Sequence, residues 1–208
     1  MNKNLFIAFE GIDGSGKSTQ VQLLAENLKQ AGHKIYLTAE PTNSSIGKLI
    51  RTIFSHQMEA DHRTIAGLFV ADRLHHLLDK EEGLLKKMEE GYTVISDRYY
   101  FSSYAYQGAH LSLEWVIQAN ILSAQLLKPD LNVFIDIGPE TSMQRIKNSR
   151  ENIELFETLE NLKLVKETYF KAFELLKNQE QIFIADGEQE PQQIASQIYE
   201  HLKVEFKC

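Results

Sequence analysis

The stretch Leu5 Phe6 Ile7 Ala8 Phe9 Glu10 Gly11 Ile12 Asp13 Gly14 Ser15 Gly16 Lys17 Ser18 Thr19 decides the fold. Leu5 to Phe9 read as a short buried strand, and the residues from Gly11 onward match G-x-x-x-x-G-K-[ST]. Beyond them Val21, Leu24, Ala25, Leu28 and Ala31 recur at helical spacing, with Gly32 where a helix would stop. A strand before and an amphipathic helix after are the setting this motif needs. The glycines let consecutive backbone N–H groups turn inward, and the first helical turn adds its unpaired donors and dipole. Lys17 supplies a mobile positive charge for the outer phosphates, and the Ser18 hydroxyl is placed to ligate magnesium. The loop Gly11 to Thr19 is therefore expected to cradle a nucleoside triphosphate.

Four further strands are expected: Lys34 to Ala39, Thr93 to Ser96, Leu131 to Ile137 and Gln181 to Ala185. Helical spacing is read over Lys17–Ala31, Ile46–Ile53, Asp61–Met88 with a bend near Gly83, Ser102–Ala109, Leu113–Leu127, Glu140–Asn148, Leu155–Leu176 and Pro191–Leu202. Strands alternating with helices predict an α/β fold, a five-stranded parallel sheet with helices on both faces, of the P-loop NTPase type. The polar stretch Asn148 to Glu154 lacks apolar periodicity. One domain over residues 1–208, with a short mobile lid at about 145–157, is the expected organisation.

Composition sets the compartment and the partners. The chain has 208 residues, 43% hydrophobic and 25% charged, ordinary for a soluble globular protein. No apolar run reaches the ~18 residues that span a bilayer, and no apolar leader precedes the first strand, so a cytoplasmic protein without a membrane partner is expected. The single cysteine, Cys208, cannot form an internal disulfide. A net charge of -7, from 29 acidic against 22 basic side chains, argues against a nucleic-acid partner.

In a parallel sheet the C-terminal strand ends share one edge, where ligands bind. That edge gathers the P-loop, Glu40 after the second strand, and Asp97 Arg98 after the third. Asp97 can hold magnesium, and Arg98 can grip a second phosphate bidentately. Alone, an Asp-Arg pair at a strand end equally fits a structural ion pair. Phe69 and Arg73 share one helical face, and Ser103 and Gln107 another. A ring with an amide is what stacks a base and reads its edge, although Phe69 by itself reads as core. Arg145 and Arg150 fall beside and on the polar stretch, where an arginine on a closing lid meets the transferring phosphoryl group; solvated surface is the other fate of such charges. His75 and His76 are expected at the surface or rim without a metal, and Trp115, Tyr99, Tyr100 and Tyr104 as packing residues.

The P-loop, Glu40 Pro41, the run Phe69 Val70 Ala71 Asp72 Arg73, Asp97 Arg98 Tyr99 and Ser102 to Gly108 together resemble thymidylate kinase, from Phe9 to about Tyr169. The resemblance implies transfer of the ATP γ-phosphoryl group to dTMP with magnesium. By that likeness Lys17 and the P-loop amides hold ATP, with Ser18 and Asp97 around magnesium. Arg98 and Arg51 hold the dTMP phosphate, Asp13 and Glu40 lie near the sugar and the acceptor, and Phe69 stacks thymine. Arg73 and Gln107 bond its edge with Ser103 nearby, Tyr106 crowds a ribose 2′-hydroxyl, and Asp186 Gly187 border adenine. A homodimer is also implied. Some members carry a P-loop arginine where this chain has Gly14, which shifts the transition-state charge to the lid. Arg150 with Phe156 Glu157 resembles the archaeal type of lid, and Ala39 replaces a basic residue often found before Glu-Pro. A kinase of another (deoxy)nucleoside monophosphate is the alternative. A guanine-reading Asn-Lys-x-Asp motif, which a nucleotide switch would need, does not occur.

Overall fold

The computed structural model describes residues 4–149 and 155–206. In chain order its elements are β1 (Phe6–Glu10), α1 (Lys17–Gln30), β2 (Ile35–Ala39), α2 (Ser45–Phe54), α3 (His62–Leu78), α4 (Leu84–Glu89), β3 (Thr93–Asp97) and α5 (Tyr100–Tyr106). There follow α6 (Leu113–Ala119), α7 (Ile121–Leu126), β4 (Leu131–Asp136), α8 (Pro139–Ser149), α9 (Leu159–Leu176), β5 (Ile182–Asp186) and α10 (Pro191–Phe206).

The five strands form one parallel sheet in the order β2-β3-β1-β4-β5. The alternation of β1 sorts its side chains: Leu5, Ile7 and Phe9 pack with Val21, Leu24 and Leu28 of α1 and Ile194, Ile198 and Leu202 of α10. Phe6 and Ala8 face the other layer, with Ile50 of α2, Phe69 of α3, Phe101 of α5 and Val165 of α9. Full burial of each large side chain in the α1 stripe contributes roughly 1.5–3 kcal/mol. The chain leaves β1 toward β2 on one side and reaches β4 on the other, so β1 ends at the switch point where such sheets bind ligands. The register sets Phe9 beside Asp97, so Glu10 and Arg98 follow side by side at that edge.

The expected architecture is present, and its differences from the sequence reading have local causes. The stretch Asp61–Met88 is two helices. Asp79 takes the N–H groups of Glu81 and Glu82 on its own carboxylate, and a Cβ on Gly83 would lie 2.2 Å from the Asp79 carbonyl oxygen. The helix expected over Leu113–Leu127 divides at Asn120, whose amide donates to Val116 O while its oxygen accepts from Arg73. The helix expected from Leu155 is α9, which starts at Leu159, capped by Thr158. Trp115, expected in the packing, is 46% exposed. His76, expected at the rim, is buried and bonded; His75 is exposed.

Candidate active site

The P-loop turns on three glycines with positive φ: Gly11 at 145°, Gly14 at 72° and Gly16 at 95°. Lys17 folds back along the loop, its Nζ donating to Gly11 O at 3.1 Å and Ile12 O at 2.9 Å. Burial, with the Arg98 charge adding, lowers its ammonium from 10.5 to about 8; Asp97, Asp13 and Glu10 act the other way. At the loop mouth Ser18 Oγ donates to Asp97 Oδ2 at 2.6 Å. Gly14 packs under α8, where a Cβ would lie 2.9 Å from Ser142 O. Ser142 Oγ in turn donates to Asp13 O at 2.5 Å, so α8 is seated on the loop.

Beside the loop opens a pocket. Its polar lining is Asp13, Arg51, Arg98, Ser102, Gln107 and Glu157, and its apolar lining is Pro41, Phe54, Phe69, Tyr106 and Phe156. Arg98 adopts φ 73°, a left-handed conformation rare for a side chain of its size. Its guanidinium pairs with Asp13 Oδ1, donates to Ser102 Oγ at 3.1 Å and lies over the Tyr106 ring. Tyr106 OH bridges the same acid, donating to Asp13 Oδ2 at 2.8 Å and accepting from Asp13 N at 3.0 Å. Burial raises the Tyr106 phenol far above its ordinary range, so it stays protonated. Arg51 reaches from α2 to the Pro41 and Thr42 carbonyls, and its side chain edges the pocket.

Gln107 is 3% exposed, and its Oε1 has no hydrogen-bond partner among the described residues. Buried amide oxygens are usually hydrogen-bonded, so this atom is available to a further donor. Phe69 meets Phe54 at 5.8 Å between centroids, and Phe156 stands edge-on to Phe54 at 5.2 Å.

Arg73 and Ser103 lie behind this wall. Arg73 was expected at the base edge, yet it is 1% exposed and every N–H is taken. Its Nε and Nη2 donate to Glu40 Oε2 at 2.9 and 2.6 Å, Nη1 to Ser103 Oγ at 3.0 Å and to Asn120 Oδ1, and Nη2 also to Tyr99 O. Glu40 is thus a buried acid held by Arg73 and, on Oε1, by His76 Nδ1 at 3.0 Å, with His76 Nε2 against Thr38 Oγ1. Next to Arg73, Asp72 accepts from Thr42 N, Thr42 Oγ1 and Ser44 Oγ at 2.6–2.8 Å, strapping the loop after β2 to α3.

Arg145 lies on α8 and donates to Gly187 O at 3.2 Å, on the turn after β5. Arg150 falls outside the described residues. Among the described residues no group of three or more His, Cys, Asp or Glu side chains is placed to hold a metal by itself. Sequence reasoning passed over Glu10 and Phe54 altogether. The acid between a strand and a P-loop was the available signal for Glu10, and an aromatic at the end of α2 was that for Phe54.

The family model for thymidylate kinase matches residues 9–198. The chain belongs to the thymidylate kinase family. It is 40% identical over 179 residues to a probable thymidylate kinase of Pyrococcus horikoshii, covering 83% of this chain and 84% of that protein. The like-named protein of Thermococcus kodakarensis is 41% identical over 181 residues, covering 82% and 85%. That of Methanocaldococcus jannaschii is 38% identical over 204 residues and covers 98% of each chain. The family match spans the P-loop, the Arg98 turn and the pocket wall alike. No helix among the described residues is long and apolar enough to cross a membrane.

Proposed function

We infer that this member of the thymidylate kinase family transfers the γ-phosphoryl group of ATP to dTMP, giving dTDP and ADP. The observation that carries the reading is the pocket beside the P-loop, whose lining combines the Arg51 and Arg98 guanidiniums with the Gln107 amide and the Phe54, Phe69, Tyr106 and Phe156 rings. Those groups suit a nucleotide's phosphate and base. Lys17 and the amides of Gly11 to Thr19 hold the ATP phosphates, Lys17 exchanging its carbonyl partners for phosphate oxygens. Arg98 and Arg51 hold the dTMP phosphate, and Asp13 with Tyr106 borders the sugar. Phe69 and Phe54 flank thymine, and Gln107 bonds its edge. Arg73 acts from behind the wall by fixing Ser103 and Glu40.

Magnesium fits the Ser18 and Asp97 oxygens, a hard donor pair at the loop mouth, and these two residues would hold it. Bound there it would neutralise charge on the β- and γ-phosphates. Arg150 supplies the transition-state charge from a lid at about 145–157, a reading supported by the crowded Gly14 and by the engagement of Arg145 with Gly187. Cytoplasmic residence follows from its nucleotide substrates.

Two experiments test this reading. Turnover of dTMP, dCMP and dGMP with ATP is expected to favour dTMP strongly, with Gln107→Ala raising the dTMP KM about tenfold, since a lost bond at a buried edge costs about 1–3 kcal/mol. Equal turnover of the three acceptors would defeat the thymine reading. Arg150→Ala is expected to lower kcat at least a hundredfold while the ATP KM stays within a few-fold. Near-normal turnover would move the role to Arg145.

A further inference from the structure

Glu10 is the last residue of β1, fully buried, and does not line the pocket. A carboxylate hidden at 0% exposure needs partners strong enough to offset the loss of water. Two of its three partners lead to one residue. Oε1 accepts the N–H of Tyr99 at 2.9 Å, the peptide immediately after Arg98. Oε2 accepts Ser102 Oγ at 2.5 Å, and that same Oγ accepts from Arg98 Nη1 at 3.1 Å. Tyr169 OH of α9 closes the cluster on Oε2 at 3.0 Å.

Arg98 needs such support. Its φ of 73° is a conformation that costs ~1–3 kcal/mol and persists only where surroundings over-determine it. Arg98 N donates to Phe9 O at 2.8 Å, and Ser96 Oγ donates to Arg98 O at 2.7 Å, so its own peptide groups are pinned on both sides. Glu10 grips both the peptide leaving this turn and, through Ser102, the guanidinium that the turn presents to the pocket.

We propose that Glu10 is a positioning residue for Arg98, holding its backbone through Tyr99 N–H and its guanidinium through Ser102, so that the acceptor phosphate meets a pre-set cation. The proposal rests on the assignment of Arg98 to the dTMP phosphate. The adjacent Gly11 makes a different role conceivable, as a buttress of the P-loop, and the two separate kinetically: a positioning role acts on dTMP, a buttress on ATP.

The test is steady-state kinetics of the full chain for Arg98→Ala, Glu10→Gln, Ser102→Ala and the double variant Glu10→Gln/Arg98→Ala, each checked by thermal melting. Arg98→Ala is expected to raise the dTMP KM at least tenfold with the ATP KM within twofold. Glu10→Gln is expected to raise the dTMP KM about tenfold with the ATP KM likewise unchanged, and to add less than twofold once Arg98 is absent. Should Glu10→Gln fail to fold, Ser102→Ala removes the side-chain route and is expected to shift the dTMP KM in the same selective way, and by less than twofold once Arg98 is absent. Parallel rises in both KM values, a lower melting temperature with unchanged KM, or an undiminished Glu10 effect without Arg98 would each overturn the proposal. Sensitivity to Arg98→Ala alone overturns it while leaving the site reading intact. An insensitive Arg98 brings down both.

Discussion

Burial shifts the proton affinity of Glu10, raising its carboxyl from 4.5 to about 7 against the opposing pull of Ser102, Arg98 and Tyr169. The folded protein therefore keeps a proton that the unfolded chain releases between about pH 4.5 and pH 7. The stability tied to this proton is fully present below the unfolded value and is lost as pH rises through about 7, amounting to about 3 kcal/mol. Glu10→Gln has no proton to lose. Urea unfolding at pH 5 and pH 8 is expected to show the wild type losing ground against this variant by about that amount; a difference independent of pH would refute the assignment. Gly14 belongs to the same scale. The sequence showed only that no arginine stands there. The structure supplies the reason: at φ 72°, with Ser142 O 2.9 Å from any Cβ, the site excludes side chains.

Among the elements, α3 joins the loop after β2 to the site's inner wall. Consecutive residues perform the two halves: Asp72 binds Thr42 and Ser44, and Arg73 binds Glu40, Ser103 and Asn120. Close approach of α2 depends on the same loop, since a Cβ on Gly47 would lie 1.9 Å from Thr42 O. Asp72→Ala leaves three donors at this loop without their acceptor. We expect it to destabilise the protein by about 2–4 kcal/mol in urea unfolding. The loop carries Pro41 and supports Arg51, so the dTMP KM should rise by more than the ATP KM. Equal effects on both would show that the strap serves the fold alone. Helical periodicity made α3 legible; the inward turn of Arg73 was not, because an arginine four residues from Phe69 reads the same whether its donors meet a ligand or a buried acid.

At the scale of the molecule, Leu78 of α3, Trp115 of α6 and Ile121 and Leu122 of α7 are all 44–53% exposed. These elements touch one another, α3 meeting both α6 and α7. Exposed apolar side chains on touching helices are what the homodimer implied by the resemblance would cover. Sedimentation at micromolar concentration is expected to give a dimer for the wild type and a monomer for Leu122→Glu; a monomeric wild type would remove the dimer from the reading. The sequence by itself determined the parallel α/β sheet, the P-loop and the strand ends that meet beside it. Those features are written in local terms, as runs of apolar residues at periods of two and 3.6 and as glycines at positive φ. Only the tertiary structure decided which polar groups face the pocket and which face one another. Gln107 lines the cavity, Arg73 and His76 turn onto Glu40, and Glu10 stands behind Arg98. Hydrogen-bond partners 30 to 160 positions apart are chosen by burial and geometry after the chain has closed, and no local pattern encodes that choice.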